Sequence, residues 1–189
     1  GMKSDHHWKQ PGSVINRGER FWIPLIALFT GMRLSEIVSL NVEDFKAEDG
    51  IDFIAIRESK TEAGVRRVPI HPKLKEIGLL DFVKGIQPGQ PLFAGISSGA
   101  YSKHFGRLLD SVGITDKKLV FHSFRHTFTD ALRAAKVTEP IAKALIGHSD
   151  GTVTGQYGSG YQVDVLFEEL KRVNFPGLVL TQHYQSDGK

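Results

Sequence analysis

Apolar residues recur at helical spacing early in the chain. Phe21, Leu25, Leu28 and Phe29 stand three or four positions apart, so residues 20–40 read as one or two helices, with Gly31 interrupting the pattern. Residues 44–50 are polar and read as a turn. The period then changes to that of extended chain. Ile51-Asp52-Phe53-Ile54-Ala55-Ile56 and Val65-Arg66-Arg67-Val68-Pro69-Ile70 flank a polar stretch and together predict a β-hairpin, with Pro69 suited to a strand end or sheet edge. Helical character returns over 72–84, 100–112, 123–136, 139–146 and 163–173, separated by connections that carry Gly and Pro. The expected fold is mainly α with a small antiparallel β-sheet, an α+β arrangement.

Composition narrows this picture without deciding it. A chain of 189 residues that is 40% hydrophobic suits one well-packed domain. With no cysteine there is no disulfide framework, thiol nucleophile or cysteine-ligated zinc. No apolar run approaches the roughly 18 residues of a membrane span, and Gly1-Met2-Lys3-Ser4-Asp5 lacks the apolar stretch of a signal peptide, so a soluble, cytoplasmic protein is expected. A net charge of +3 and a pI near 9.1 are compatible with a polyanionic partner but equally with none. Gly1 before Met2 reads as a remnant of tag removal, so the natural protein is expected to extend upstream. The expected division is an N-terminal extension over 1–18, a catalytic domain over 19–175 and a C-terminal tail over 176–189.

Five segments carry candidate chemistry: Thr30-Gly31-Met32-Arg33-Leu34-Ser35-Glu36, Ser59-Lys60-Thr61, His122-Ser123-Phe124-Arg125-His126, Leu145-Ile146-Gly147-His148-Ser149, and Tyr157. Each has an ordinary reading. Arg33 and Glu36 stand at i, i+3 like a surface ion pair, Lys60 is a turn lysine, His148 follows a helix-ending glycine, and tyrosines such as Tyr157 and Tyr161 usually just pack. His122 and His126 at i, i+4 also resemble a zinc pair, but Ser123 stands where zincins carry Glu, and Arg125 would repel a cation. A phospholipase-D-type reading of His71-x-Lys73 fails because residue 78 is Gly, where that pattern needs Asp.

Taken in order, these segments resemble the tyrosine recombinase (phage integrase) family, whose active site runs Arg, Lys, His-x-x-Arg, His or Trp, Tyr. The likeness extends from about Arg20 to Val173. Thr61, Gly64, Arg67, Val68 and Pro69 resemble the family's Lys-Thr-x-x-x-x-Arg-x-Val-Pro strand. The resemblance implies the DNA breaking-rejoining catalytic-domain fold and a site-specific recombinase that works through a 3′-phosphotyrosyl intermediate, with no metal, ATP or other cofactor. In that scheme Arg33, Arg125 and His148 stabilise the pentavalent phosphate. His122 assists proton transfer, Lys60 protonates the leaving 5′ oxygen, Tyr157 is the nucleophile, and Glu36 orients the site. The implied partners are double-stranded DNA at specific attachment sites, three further copies completing a homotetramer on DNA, and accessory DNA-bending proteins; no membrane is involved. A bacterial, phage or mobile-element origin follows from the same likeness.

Two other readings stay open: a type IB topoisomerase-like nicking-resealing enzyme, and a DNA-binding module with a decayed active site. The chain departs from the family in the glycines around the nucleophile, Gly151, Gly155, Gly158 and Gly160, and the family's N-terminal helical domain, which closes over the far side of the DNA, is expected to lie outside residues 1–189. Val163, Leu166, Phe167, Leu170 and Val173 form an apolar stripe, which the resemblance would dock into a neighbouring protomer.

Overall fold

The computed structural model describes residues 18–57, 64–147 and 160–180. Helix α1 (Glu19–Thr30) buries Trp22, Ile23, Ile26 and Phe29, and it ends where Gly31 enters the left-handed region at φ 64°. Thr30 then turns its hydroxyl onto Ile26 O and accepts the Met32 N–H, and α2 (Leu34–Val38) follows at once. The expected helical stretch is thus two helices broken at the glycine.

The sheet has three antiparallel strands in the order β1-β2-β3: β1 (Phe45–Glu48), β2 (Ile51–Ile56) and β3 (Arg66–Pro69). The hairpin of β2 and β3 is as expected, with Ile54 opposite Val68 and Ile56 opposite Arg66. Strand β1 corrects the reading of 44–50 as a turn. Only Asp49 and Gly50 turn, at φ 50° and 80°, between the paired residues Glu48 and Ile51. Positive φ at both central residues makes a two-residue hairpin loop, for which Asp-Gly is a preferred dipeptide.

The stretch 72–84 also divides, into α3 (Pro72–Glu76) and α4 (Leu79–Lys84), because Gly78 adopts φ 95°. Helix α7 (Glu139–Ile146) has the expected bounds, and α5 (Ser98–Ser111), α6 (Ser123–Ala134) and α8 (Val163–Leu170) lie within three residues of theirs. Two apolar clusters result. One joins α1, the sheet, α3, α4 and the aromatic face of α5. The other gathers Phe128 and Leu132 of α6, Leu145 of α7, and Leu166, Leu170 and Val173.

In the single chain without DNA the stripe on α8 packs on its own body, the arrangement expected of the helix as ordinary core. Val163, Leu166, Leu170 and Val173 are each at most 3% exposed. Beyond the helix, the Phe175 ring stands edge-on to Phe29 at 5.0 Å, and buried His71 reaches Val173 O through Nε2 at 2.9 Å. Nδ1 of the same ring accepts the Lys73 N–H, so His71 is a neutral Nε2–H tautomer that caps α3 and pins the chain after α8.

Burial holds the His71 pKa below the usual 6.5, against the Val173 hydrogen bond, which raises it. The unfolded chain binds this proton near 6.5 and the folded chain only at lower pH, so the contribution to stability is complete above 6.5 and is lost as pH falls toward the folded value. Urea midpoints are expected to fall as pH drops below about 6.5. His71→Gln, whose amide keeps a donor for Val173 O, should flatten that slope. A slope unchanged in His71→Gln would place the pH sensitivity elsewhere.

Gly31 fixes the junction between the clusters. A Cβ there would lie 2.4 Å from Cδ1 of Phe128, which is fully buried. Gly31→Ala is expected to cost about 2–5 kcal/mol, from left-handed strain of roughly 1–2 and overpacking of roughly 1–3. Urea denaturation measures this; a loss below about 1 kcal/mol would mean the turn relaxes without strain.

Candidate active site

Arg33 occupies the N-cap of α2, directly after the Gly31 turn. Its backbone N–H donates to Glu36 Oε2 at 2.9 Å and its Nη1 donates to Oε1 at 2.8 Å. The i, i+3 pair read from the sequence is present, but it is not a surface pair, because Glu36 is buried. Burial pushes the Glu36 carboxyl up, yet the hydrogen bonds and charge of Arg66, with those of Arg33, hold it below 4.5. Glu36 is a carboxylate at neutral pH.

Arg66 is the residue that sequence reasoning missed. It donates from Nη1 and Nη2 to the two Glu36 oxygens at 3.2 and 3.1 Å, from Nε to Leu145 O at 2.8 Å, and from Nη1 to Gly64 O at 2.8 Å. The sequence reading matches the family's strand arginine to Arg67, one position too far: the four residues after Thr61 end at Val65, so the arginine of the Lys-Thr-x-x-x-x-Arg-x-Val-Pro pattern is Arg66. Arg67 instead points to the other face of β3, where it pairs with Glu48 at 3.0 Å and lies over the Phe53 ring. The signal was the strand period: Arg66 shares the inward face with buried Val68, and alternation puts Arg67 opposite.

Arg125 enters from the first turn of α6. It is buried and donates from Nη1 to Gly31 O at 2.8 Å, so the left-handed glycine is also the acceptor that aims this guanidinium. Burial, then the positive charges of Arg33 and Arg66, lower its pKa to about 10. His122 sits at the N-cap of α6 in a turn secured by Phe121, whose ring packs at 5.3 to 5.7 Å against Phe105, Phe124 and Tyr101. Burial, followed by the charges of His126, Arg125 and Arg33, depresses the His122 pKa, so the imidazole is neutral at neutral pH. The His122 and His126 rings meet edge to face at 5.0 Å. A cleft of about 210 Å³ opens beside them, lined by Arg33, His122, Met32, Leu34, Ser102, Val120 and Phe121.

The arrangement thus sets Arg33 and Arg66 on one carboxylate, with Arg125 within reach of its charge and His122 within reach of the charges of Arg33 and Arg125. Three guanidiniums against one Glu36 leave positive charge uncompensated at partly buried positions, the electrostatic condition for holding an anion such as a phosphodiester. Lys60, His148 and Tyr157 lie outside the described residues. Their segments adjoin described parts of the site: Gly64 accepts from Arg66, and Gly147, at φ 67°, caps α7 just after Leu145.

Comparison with known proteins bears on the fold and the family. A tyrosine recombinase of Agathobacter rectalis is 28% identical over 154 residues, which cover 77% of this chain and 50% of that protein. The integrase from mycobacterium phage Brujita superimposes with a TM-score of 0.57 at 19% identity, over 80% of this chain and 50% of its own. The Tn1549 transposon integrase in complex with transposon right end DNA gives 0.52 at 24% identity, over 79% and 57%, and the XerH site-specific recombinase bound to difH substrate in a post-cleavage complex gives 0.52 at 23%, over 68% and 38%. These structures share the fold, and the chain spans about half the length of the relatives it matches. The profile of the phage integrase family matches residues 21–162, well over half of the chain, and on that match the chain belongs to the phage integrase family.

Proposed function

We propose that this chain is the catalytic part of a site-specific DNA recombinase that cleaves and rejoins DNA through a tyrosyl phosphodiester, without metal or ATP. The observation that carries the reading is the cluster of Arg33, Arg125 and neutral His122 beside an open cleft, with positive charge in excess of Glu36. The family match and the recombinase names of its relatives point the same way.

In this mechanism the Tyr157 oxygen attacks the phosphorus and the bond from phosphorus to the 5′ oxygen breaks. Arg33, Arg125 and His148 donate to the non-bridging oxygens, where negative charge grows in the transition state. The tyrosine proton passes to His122, whose depressed pKa keeps its ring free to accept it. Lys60 gives a proton to the departing 5′ oxygen. The reverse attack by a 5′ hydroxyl releases Tyr157 and conserves the bond, so no cofactor balances the exchange. Four copies act on paired double-stranded sites, which makes the protein a DNA-associated, cytoplasmic one.

The test is a nicked suicide duplex, in which a short 5′ fragment escapes after cleavage and traps the intermediate. Incubating the chain with a pool of such duplexes randomised at the candidate arms is expected to yield an EDTA-resistant adduct on a denaturing gel. Strand exchange between two captured duplexes separates a recombinase from a nicking-resealing enzyme. Non-covalent retention of the pool with no adduct would leave only a DNA-binding module.

A further inference from the structure

We infer that Arg66 is a positioning residue that clips three segments of the active site together. The inference rests on the recombinase reading for its consequence but not for its geometry. One guanidinium, only 6% exposed, forks onto both oxygens of Glu36, and the same group reaches Leu145 O on α7 and Gly64 O at the start of β3. Every partner leads to a proposed catalytic group. Glu36 holds Arg33 through backbone and side chain. Leu145 shortly precedes His148, and Gly64 ends the connection that contains Lys60.

The bond directions explain why arginine is used. Lysine could neutralise Glu36, but a planar guanidinium is needed to engage a carboxylate with two parallel donors while its Nε points away to a carbonyl. Burial lowers the Arg66 pKa and Glu36 opposes that shift, so charge and geometry sustain each other. Arg66 also bears on Arg33 itself. Glu36 Oε1 accepts from both arginines, so with Arg66 in place the carboxylate stays paired when Arg33 turns from it toward a phosphate. Arg66 thereby lets Arg33 act without stranding a buried charge.

Two measurements on the whole chain test the clip and its consequence separately. The first needs no DNA: amide NMR spectra of the unaltered chain and Arg66→Lys. The Ile146 amide shares a peptide unit with the Leu145 carbonyl, and the Arg33 amide donates to Glu36, so both are expected to shift while the exposed amides late in α5 stay. Unmoved Ile146 and Arg33 amides would overturn the clip. The second is adduct formation on a nicked duplex captured from the randomised pool. Arg66→Lys is expected to slow it by a factor of about 10–100 at saturating DNA, the scale of a small displacement of catalytic groups. DNA affinity should hold, and Arg66→Lys with Glu36→Gln should be no slower than the slower single variant, because both act through one network. A loss confined to DNA affinity, or an additive double variant, would make Arg66 a DNA-contact or independent residue. If the unaltered chain captures no duplex, the recombinase reading fails while the amide shifts still decide the clip.

Discussion

Tyr157→Phe is expected to abolish the covalent adduct with DNA and to leave folding and non-covalent DNA binding intact. The substitution removes one oxygen and keeps the ring, so any packing role survives while the nucleophile does not. A phenol with a pKa near ~10 is ionised at only about one part in a thousand at neutral pH, so it needs a base to take its proton and cations to favour the developing charge. In the proposed mechanism the neutral imidazole of His122 takes the proton and the guanidiniums of Arg33 and Arg125 favour the charge. The measurement is a denaturing gel of the variant with a captured nicked duplex, beside a gel-shift titration. Adduct formation that persists in Tyr157→Phe, with Tyr161→Phe as the comparison, would remove Tyr157 as nucleophile.

Most of the fold was legible because period reports burial directly. The β2–β3 hairpin and helices α5 to α8 lie where alternation and helical spacing put them. The misses share a cause, since each depended on backbone torsion or on a partner distant in sequence. Strand β1, Phe45-Lys46-Ala47-Glu48, was concealed by its shortness: its four residues alternate apolar and polar but are mostly exposed, as suits an edge, although Asp49-Gly50 carried the hairpin signal. The break at Gly78 needs its positive φ, which a hydrophobic pattern does not report.

For the site, local spacing exposed the Arg33–Glu36 pair but not its burial, because the groups that bury and neutralise Glu36 come from β3 and α7. Arg66 itself was legible, since strand period and motif spacing both fall on it; what the sequence could not show is its partners, which lie 30 and 79 positions away in the chain. The α8 stripe shows the converse limit. Its spacing revealed that a partner was needed, and only the fold shows that α6, α7 and the sheet provide it.

Lys60→Ala is expected to slow cleavage of ordinary DNA by a factor on the order of 10²–10⁴, the range for loss of positioned proton transfer. The chain leaves the sheet at Ile56 and returns at Arg66, its partner across the ladder, and Arg66 is fixed to Glu36 beside Arg33. The connection that contains Lys60 is thus anchored at its return end against the arginine cluster. A lysine has three donors and no acceptor, so near a phosphate it can act either as a fixed charge or as an acid. Leaving-group chemistry separates these roles. A departing 5′ alkoxide needs a proton, whereas sulfur in its place leaves as a thiolate, whose conjugate acid has a pKa near ~8.5. A 5′-thio substrate should therefore restore Lys60→Ala to nearly the rate of the unaltered chain, and it should give no rescue to Tyr157→Phe. Equal defects on oxygen and sulfur substrates would mean that Lys60 contributes charge for binding DNA and that the proton reaches the 5′ oxygen from another group.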